Sequence, residues 1–387
     1  MKQKLFVAVL ALCLLLTACG GGVQPTAANQ PTESQAASNA TEAPTSATTA
    51  PTTVPTTEAK PATLYTKETL PDFEAKANAV VVTDESVTFV DGTGKEKTIA
   101  KNPQRVVGLY PSHIILWYEE GGSMVGRITT KTSEKKMPEA AKGIEIVGET
   151  VTPDKLSLEK IMSVQPDLVI LGIGGQMSMV DKFAELGVES IVIDNEHLDD
   201  YLKWVKVIAN LNGKPELYEQ AKKEVLAPIQ ELLLKVPAEN NPKALMIQVN
   251  EKGTLVVYLP GTTAAGIMAD LGAVNVAIGM TDKEHKKVEG VDKAELSFES
   301  ILTNQPELIL LKHSDMAKGL KARQVVSDTL GSNPVWMEYE AVKADEIYDL
   351  PPKYFHYKPT KEYFQAYEYM AKILYPEIFG VQEKEFE

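Results

Sequence analysis

The sequence contains few cysteines, and those it has lie close to its start. Cys13 and Cys19 are the only two among 387 residues. No disulfide framework is therefore available to the rest of the chain, whose folded part must be stabilised by a buried apolar core. With about 320 residues after the first 60 or so, such a core is within reach of two domains of ordinary size.

Arginine and histidine are scarce as well. The three arginines are Arg105, Arg127 and Arg323. Since arginine clamps anionic groups in a bidentate manner, few residues are available for a strongly anionic ligand. The five histidines are scattered, whereas a zinc or manganese site needs several that converge. The net charge of −14 argues against a nucleic-acid partner, whose phosphates would be repelled.

The common catalytic motifs are also missing. The chain has no GxSxG, no Walker loop, no HExxH and no closely spaced Cys/His set, and "GIGGQM" at 172–177 lacks the full dinucleotide fingerprint. We therefore expect a protein without catalytic residues. Two alternatives remain open, a binder of a free metal ion and a chelatase-like enzyme acting on tetrapyrroles.

The N-terminal residues indicate export. Lys2 and Lys4 precede an apolar run from residue 5 to residue 16, which is too short to span a membrane, and "LTAC" ends at Cys19. This start resembles a bacterial lipoprotein signal, and the resemblance implies removal of residues 1–18 and lipidation of Cys19. An ordinary secretory signal is the alternative. Residues 19–70 are rich in Thr, Ala and Pro, and we expect a disordered tether.

One pattern occurs twice, 140 residues apart. "LSLEKIMSVQPDLVILGIG" begins at Leu156 and "LSFESILTNQPELILLKHS" at Leu296. In the first copy, Ser157 is a candidate helix N-cap, Pro166 ends the helix, and four aliphatic residues predict a strand buried on both faces. "VVGLYPSHIILWYEEGG" and "VVYLPGTTAAGIMADLGA" form a second matching pair. The repeats predict a duplicated α/β lobe.

The segment between the two copies is helical in pattern. Residues 216–236 carry one apolar stripe, and we expect a kink at Pro228. The predicted fold is α/β, with two lobes (71–196 and 239–387) joined by one long helix within an interlobe segment (197–238). The cleft between the lobes is the expected ligand site.

Together these features resemble the helical-backbone substrate-binding proteins of ABC importers for iron–siderophore complexes, haem and cobalamin. The resemblance rests on the lipoprotein start, "PQRVVGLYPS", the paired "QPDLVILG" and "QPELILL", "LGAVNVA" at 271–277, and the single interlobe helix. It implies a monomer, lipid-anchored on the extracytoplasmic face of the cell membrane, which delivers a small metal complex to a permease and its ATPase. It implies no permanently bound cofactor.

The loops after the predicted strands are rich in aromatic and soft side chains. Such groups suit stacking on a large flat ligand or axial binding of iron, although each could equally be a packing residue. The scarcity of arginine favours a hydroxamate-type, haem-like or corrinoid ligand over catecholate or citrate complexes. The predicted ligand-binding residues are Tyr110, His113, Arg127, Met177, Tyr258, His313, His356 and Tyr357.

One departure from the family concerns permease docking. The resemblance implies a glutamate in the first helix of each lobe, where this chain has Ile115 and Gly266. Carboxylates follow one turn later, on the same helix face. Glu119, Glu120 and Asp270 are therefore the docking candidates, with solvated surface charge as the alternative.

Overall fold

The protein was analysed as a computed structural model. It describes residues 62–239, 241–250, 252–253, 255–258, 261–277, 286–288, 291–295, 304–313 and 321–385. The predicted signal peptide, Cys19 and most of the predicted tether lie outside these ranges, as does the helix of the second repeat. Within them, no helix has the length and apolar character needed to cross a membrane.

A small antiparallel sheet precedes the first lobe. It contains β1 (Val81–Val82), β2 (Ser86–Val90) and β3 (Glu96–Ala100) in that order. The turn between β2 and β3 is the predicted "DGTGKE" hairpin. The carboxylate of Asp91 at this turn accepts a hydrogen bond from the backbone N–H of Val192 at 3.1 Å, which ties the hairpin to the first lobe.

The first lobe contains a five-stranded parallel sheet of order β6-β5-β4-β7-β8. All five residues of β7 are buried, as the aliphatic run of the first repeat predicted. The predicted cap is also present, since the Ser157 hydroxyl accepts a hydrogen bond from the Lys160 N–H at 3.2 Å. The strands are β4 (Val106–Gly108), β5 (Gly126–Ile128), β6 (Glu145–Gly148), β7 (Leu168–Gly172) and β8 (Glu189–Ile193).

The segment between the lobes is helical, as predicted, and its long helix contains a π turn. The Ala227 N–H donates to the Lys222 carbonyl, five residues back, immediately before Pro228. This wider turn is where the proline, which has no N–H and would collide with a carbonyl in regular α geometry, is accommodated. The regular parts are α6 (Leu198–Leu211), α7 (Glu216–Ala221) and α8 (Ala227–Leu233).

The second lobe repeats the parallel unit and adds an antiparallel part. Its sheet has the order β12-β13-β10-β9-β14-β15, with β11 also beside β9. β9, β14, β15 and β11 pair in parallel, in the arrangement that β4, β7, β8 and β5 have in the first lobe. The strands are β9 (Lys243–Val249), β10 (Leu255–Tyr258), β11 (Val274–Asn275), β12 (Lys286–Val288), β13 (Val291–Glu295), β14 (Leu308–His313) and β15 (Ile347–Leu350).

This topology corrects one part of the predicted repeat. "VVYLP" at β10 was matched to "VVGLY" at β4, but β10 pairs antiparallel with both β9 and β13. The counterpart of β4 is therefore β9, and β10 is an addition between this strand and the helix that follows. The sequence match was misleading because an apolar run predicts a strand without giving its direction.

The remaining helices pack around the sheets, and the main apolar core is continuous from the first lobe through α6 to the second. A smaller core lies on the other face of the second sheet. These helices are α1 (Ala75–Asn78), α2 (Pro111–Glu119), α3 (Glu139–Lys142), α4 (Leu158–Met162), α5 (Val180–Glu185), α9 (Thr263–Asp270), α10 (Ala322–Leu330), α11 (Pro334–Met337), α12 (Glu340–Lys343), α13 (Pro352–Phe355), α14 (Tyr363–Leu374) and α15 (Pro376–Phe379).

Candidate functional site

The carboxyl ends of the parallel strands in the two lobes lie against each other through charged and aromatic contacts. The Lys136 ammonium lies 3.1 Å from the centroid of the Tyr357 ring. Lys358 forms an ion pair with Glu196, which follows β8. Because each contact joins a residue of the first lobe to one of the segment after β15, the cleft lies between these strand ends, where ligands of open α/β sheets bind.

On the first-lobe side, Tyr110 immediately precedes α2 and His113 is the third residue of this helix. Their rings stack with centroids 4.7 Å apart. His113 is almost completely buried, and burial, followed by the charge of Lys358, lowers its pKa to about 3. The imidazole is therefore neutral near pH 7. Its Nδ1 has no hydrogen-bond partner within the described residues.

The glycine that ends β7 provides space for this stacked pair. A Cβ placed on Gly172 would lie 2.5 Å from the Tyr110 ring. We expect Gly172→Ala to displace the ring and to lower the free energy of unfolding by about 1 kcal/mol, with weaker ligand binding. Gly175→Ala is the matched control, because the nearest atoms to its Cβ, in Pro153, lie at 3.6 Å. Equal denaturation midpoints for the two variants would contradict the steric argument.

On the second-lobe side, His356 and Tyr357 follow α13. Their rings meet edge to face at 4.9 Å. Burial lowers the pKa of His356 to about 3, and the positive charges of Lys312, Lys136 and Lys358 and the neighbouring His313 act in the same direction. Its Nδ1 is likewise buried and has no hydrogen-bond partner within the described residues. The structure thus brings together five of the predicted ligand residues: Tyr110, His113, His313, His356 and Tyr357.

Two polar side chains that the sequence analysis did not identify lie at the same strand ends. Asn195 follows β8 and is 1% exposed, and neither its amide nitrogen nor its amide oxygen has a hydrogen-bond partner in the described ranges. The hydroxyl of Ser112, next to His113, is also buried and has no hydrogen-bond partner in the described ranges. A buried polar group without a partner costs stability, so such groups call for an explanation in terms of function.

Arg127 does not face the cleft, and that prediction is wrong. The side chain is fully buried at the end of β5. Its Nε donates to the Ala141 carbonyl at 2.6 Å, while Nη1 and Nη2 donate to the Glu134 carboxylate at 2.9 and 2.8 Å. The donors of the guanidinium are therefore used inside the first lobe, where they hold the segment between β5 and α3.

The other two predicted ligand residues are not placed among these groups. Met177 lies in the loop after β7 with 37% of its side chain exposed. The side chain of Tyr258 lies outside the described residues.

The loop after β7 also contains Gln176, which is buried. Its amide oxygen accepts a hydrogen bond from the Gly172 N–H and its amide nitrogen donates one to the Leu109 carbonyl, both at 2.7 Å. Gln176 therefore fixes the loop that the glycine-rich sequence predicted.

The three candidate docking carboxylates are partly or fully buried. Glu120 is 5% exposed, so neither docking at an accessible surface nor a solvated surface charge describes it. Glu119 is half-buried, 3.9 Å from the Lys361 ammonium. Asp270 accepts a hydrogen bond from the Tyr367 hydroxyl at 2.5 Å, and burial raises its pKa to about 6. Neither Glu119 nor Asp270 is fully presented to solvent.

The comparisons with known proteins agree with this architecture. A family model described as "Periplasmic binding protein" matches residues 106–354. An uncharacterised ABC transporter substrate-binding lipoprotein, YvrC of Bacillus subtilis, is 22% identical over 300 residues, which cover 76% of this chain and 87% of that protein. The vitamin B12-binding protein of Yersinia pestis is 23% identical over 242 residues, or 61% of this chain and 81% of that protein.

A solved structure shows the same fold. The periplasmic catecholate-siderophore binding protein VctP of Vibrio cholerae superposes with a TM-score of 0.58 at 17% identity, covering 75% of this chain and 99% of VctP. The structural likeness therefore extends over both lobes, although few residues are shared.

Proposed function

Since the chain belongs to the periplasmic binding protein family, we propose that it is the substrate-binding component of an ABC importer and carries an iron–siderophore complex or a related tetrapyrrole. The observation that carries this proposal is the cleft itself. Two neutral imidazoles and the rings of Tyr110 and Tyr357 meet there, from opposite lobes, at the ends of parallel strands.

An intact complex fits this cleft better than a bare metal ion. The ammonium groups of Lys136, Lys312 and Lys358 all act to lower the pKa of His356, and that of Lys358 also lowers the pKa of His113. Positive charges that disfavour a protonated imidazole also disfavour a free cation, whereas a chelate hides the charge of its metal and presents ligand atoms instead. The same two histidines are the groups available for axial contact with iron.

The cellular setting follows from the N-terminal sequence and the family. We infer cleavage before Cys19, lipidation of that residue, and attachment by residues 19–70 to the extracytoplasmic face of the membrane. The relative YvrC, named as a lipoprotein, supports this. The globular part comprises the two lobes (71–196 and 239–387) and the interlobe segment (197–238), acting as a monomer with a permease and its ATPase as partners.

A ligand panel tests the proposal. The purified protein is titrated with ferric siderophores, haem and cyanocobalamin while the fluorescence of Trp117, Trp204 and Trp336 is followed. We expect saturable binding of at least one ligand, one per chain, with a rise in the thermal midpoint. The proposal would be refuted if no ligand of the panel quenched the fluorescence or raised the thermal midpoint. Insertion of metal into a porphyrin would instead support the chelatase-like alternative.

A further inference from the structure

Two equivalent helices carry a hydroxyl side chain in their first turn. α2 follows the first parallel strand of the first lobe, and α9 occupies the same place in the second lobe. Each is followed by a glycine with positive φ, Gly121 at 77° and Gly272 at 74°. Ser112 and Thr263 precede these glycines by the same number of residues. The two lobes therefore have a hydroxyl at the same position of the same helix.

Both hydroxyls are buried and unpaired. Ser112 is 7% exposed and Thr263 is 4% exposed, and the side-chain oxygen of each has no hydrogen-bond partner among the described residues. Neither is needed as a helix cap in α9, because the hydroxyl of Thr262 accepts the hydrogen bond of the Ala265 N–H at 3.2 Å. A buried hydroxyl without a partner costs stability, and its occurrence in both lobes indicates that a ligand binds there.

Both helices begin at the strand ends that form the cleft. Ser112 adjoins His113, whose ring stacks on Tyr110 just after β4. α9 lies beside the segment that follows β8, since a Cβ placed on Gly266 would lie 2.5 Å from the His197 ring. Ligands of open α/β sheets bind beyond these strand ends, so the two hydroxyls lie in the region where the proposed ligand binds.

A second hydroxyl adjoins Thr263. Tyr363 begins α14, which packs against α9, and its ring lies 5.2 Å from that of Tyr201 in α6. Burial raises the pKa of Tyr363 well above its usual value, and the nearby Thr263 hydroxyl opposes this rise. The two oxygens are not within hydrogen-bond distance, and that of Tyr363 is also unpaired in the described part of the chain. The second lobe thus offers two hydroxyl groups at this point.

Resting on the proposed function, we infer that Ser112 and Thr263 bind two carboxylate groups of one ligand, one at the start of each helix. The first N–H groups of a helix carry partial positive charge and favour an anionic oxygen, to which a hydroxyl in the same turn also donates. The ligand is then a metal chelate with at least two peripheral carboxylates, such as a carboxylate siderophore complex or haem with its propionates. Citrate-type complexes, which the scarcity of arginine disfavoured, become candidates again.

A panel of probes tests this ligand class. Ferric citrate and haem carry carboxylates, whereas a ferric complex of three hydroxamates and cyanocobalamin carry none. We expect ferric citrate or haem to bind with a dissociation constant at least tenfold lower than that of either carboxylate-free probe. If haem is the tighter of the two, its dimethyl ester, which keeps the macrocycle and masks both carboxylates, should bind at least tenfold more weakly than haem.

Two substitutions remove the hydroxyls with little change in shape. Ser112→Ala and Thr263→Val are each expected to weaken binding of the tighter carboxylate probe about tenfold, the loss typical of a hydrogen bond to a charged group. The double variant should lose about a hundredfold, since the two contacts lie in different lobes. The thermal midpoint of the free protein should stay equal or rise, because no protein partner is lost.

Ser157→Ala is the matched control. The Ser157 hydroxyl caps α4 by accepting a hydrogen bond from the Lys160 N–H at 3.2 Å. Its loss is expected to lower the thermal midpoint and to leave binding unchanged. If Ser112→Ala and Thr263→Val behaved in the same way as this control, both hydroxyls would have structural partners and the inference would be overturned.

The outcomes separate the two proposals. Tighter binding of a carboxylate-free probe, or a double variant that binds the carboxylate probe as tightly as the natural protein does, would overturn this inference and leave the proposed function standing. Failure of every probe to bind the natural protein would instead overturn the proposed function, and this inference with it.

Discussion

Replacing Arg127 with methionine is expected to lower the free energy of unfolding by about 2 kcal/mol, because the buried guanidinium donates charge-assisted hydrogen bonds inside the first lobe. Methionine fills much of the same volume but donates no hydrogen bond. The carbonyl of Ala141 would lose its partner at 2.6 Å, and the Glu134 carboxylate would lose two charge-assisted bonds. Urea denaturation of the purified protein measures this loss.

The pKa of Glu134 provides a second readout of the same interaction. Hydrogen bonds from Arg127 are the main cause that lowers this pKa to about 2. A carboxylate with a depressed folded-state pKa adds stability above its unfolded value, and this is lost as the pH falls through the folded value. The variant should therefore show a smaller loss of stability than the natural protein between about pH 4.5 and pH 2.

Arg105 is the matched control for this substitution. Its guanidinium also donates to carbonyls, those of Val164 and Gln165, but the residue is exposed. Arg105→Met is expected to cost about 1 kcal/mol or less, since water replaces the lost donor. If Arg127→Met weakened ligand binding without lowering stability, Arg127 would have to be placed in the cleft after all.

The architecture could be predicted to the extent that its signals are local. The buried strand β7 and the Ser157 cap each follow from neighbouring residues, and the structure has both features. Strand direction is not local. β10 has the apolar pattern of a buried strand, and only its pairing with β9 and β13 reveals that it is antiparallel.

The residues of the site could likewise be predicted only where the signal lies in the local sequence. The strand-end loops pointed to His113, His313 and His356 because the carboxyl ends of parallel strands converge. The lysines were missed, although Lys312 adjoins His313 and Lys358 adjoins Tyr357 in the printed sequence. Lysine is common on every surface, so nothing in a sequence tells which of its ammonium groups face inward. Only the fold places these in the cleft.

The docking candidates depend on a family pattern. Glu119, Glu120 and Asp270 are the carboxylates about one helical turn after the positions at which the resemblance implies a glutamate. The end of α2, however, lies against the helical segment between the lobes, where Asn212 donates a hydrogen bond to the Glu120 carbonyl at 3.1 Å. Glu120 is buried at this junction of the two lobes, and its environment predicts an unusual dependence of stability on pH.

Burial and the neighbouring charge of Glu119 raise the pKa of Glu120 to about 8, against the smaller opposing effect of Lys361. The folded protein therefore keeps a proton that the unfolded chain releases above about pH 4.5. Stability from this group is fully present below that pH and is lost as the pH rises through the folded value. Glu120→Gln, which stays neutral, is expected to remove this loss.

At pH 8 the Glu120→Gln variant should be more stable than the natural protein by about 4 kcal/mol, because burial raises the pKa of Glu120 from 4.5 to about 8 and each pKa unit corresponds to about 1.4 kcal/mol. At pH 5 the two should be nearly equal, since Glu120 is then protonated. Chemical denaturation at both pH values measures the difference. Glu185→Gln is the control, because it removes a carboxylate at an exposed position and should follow the natural protein. A Glu120→Gln variant that loses stability at pH 8 would show that this carboxylate is charged and paired at the junction.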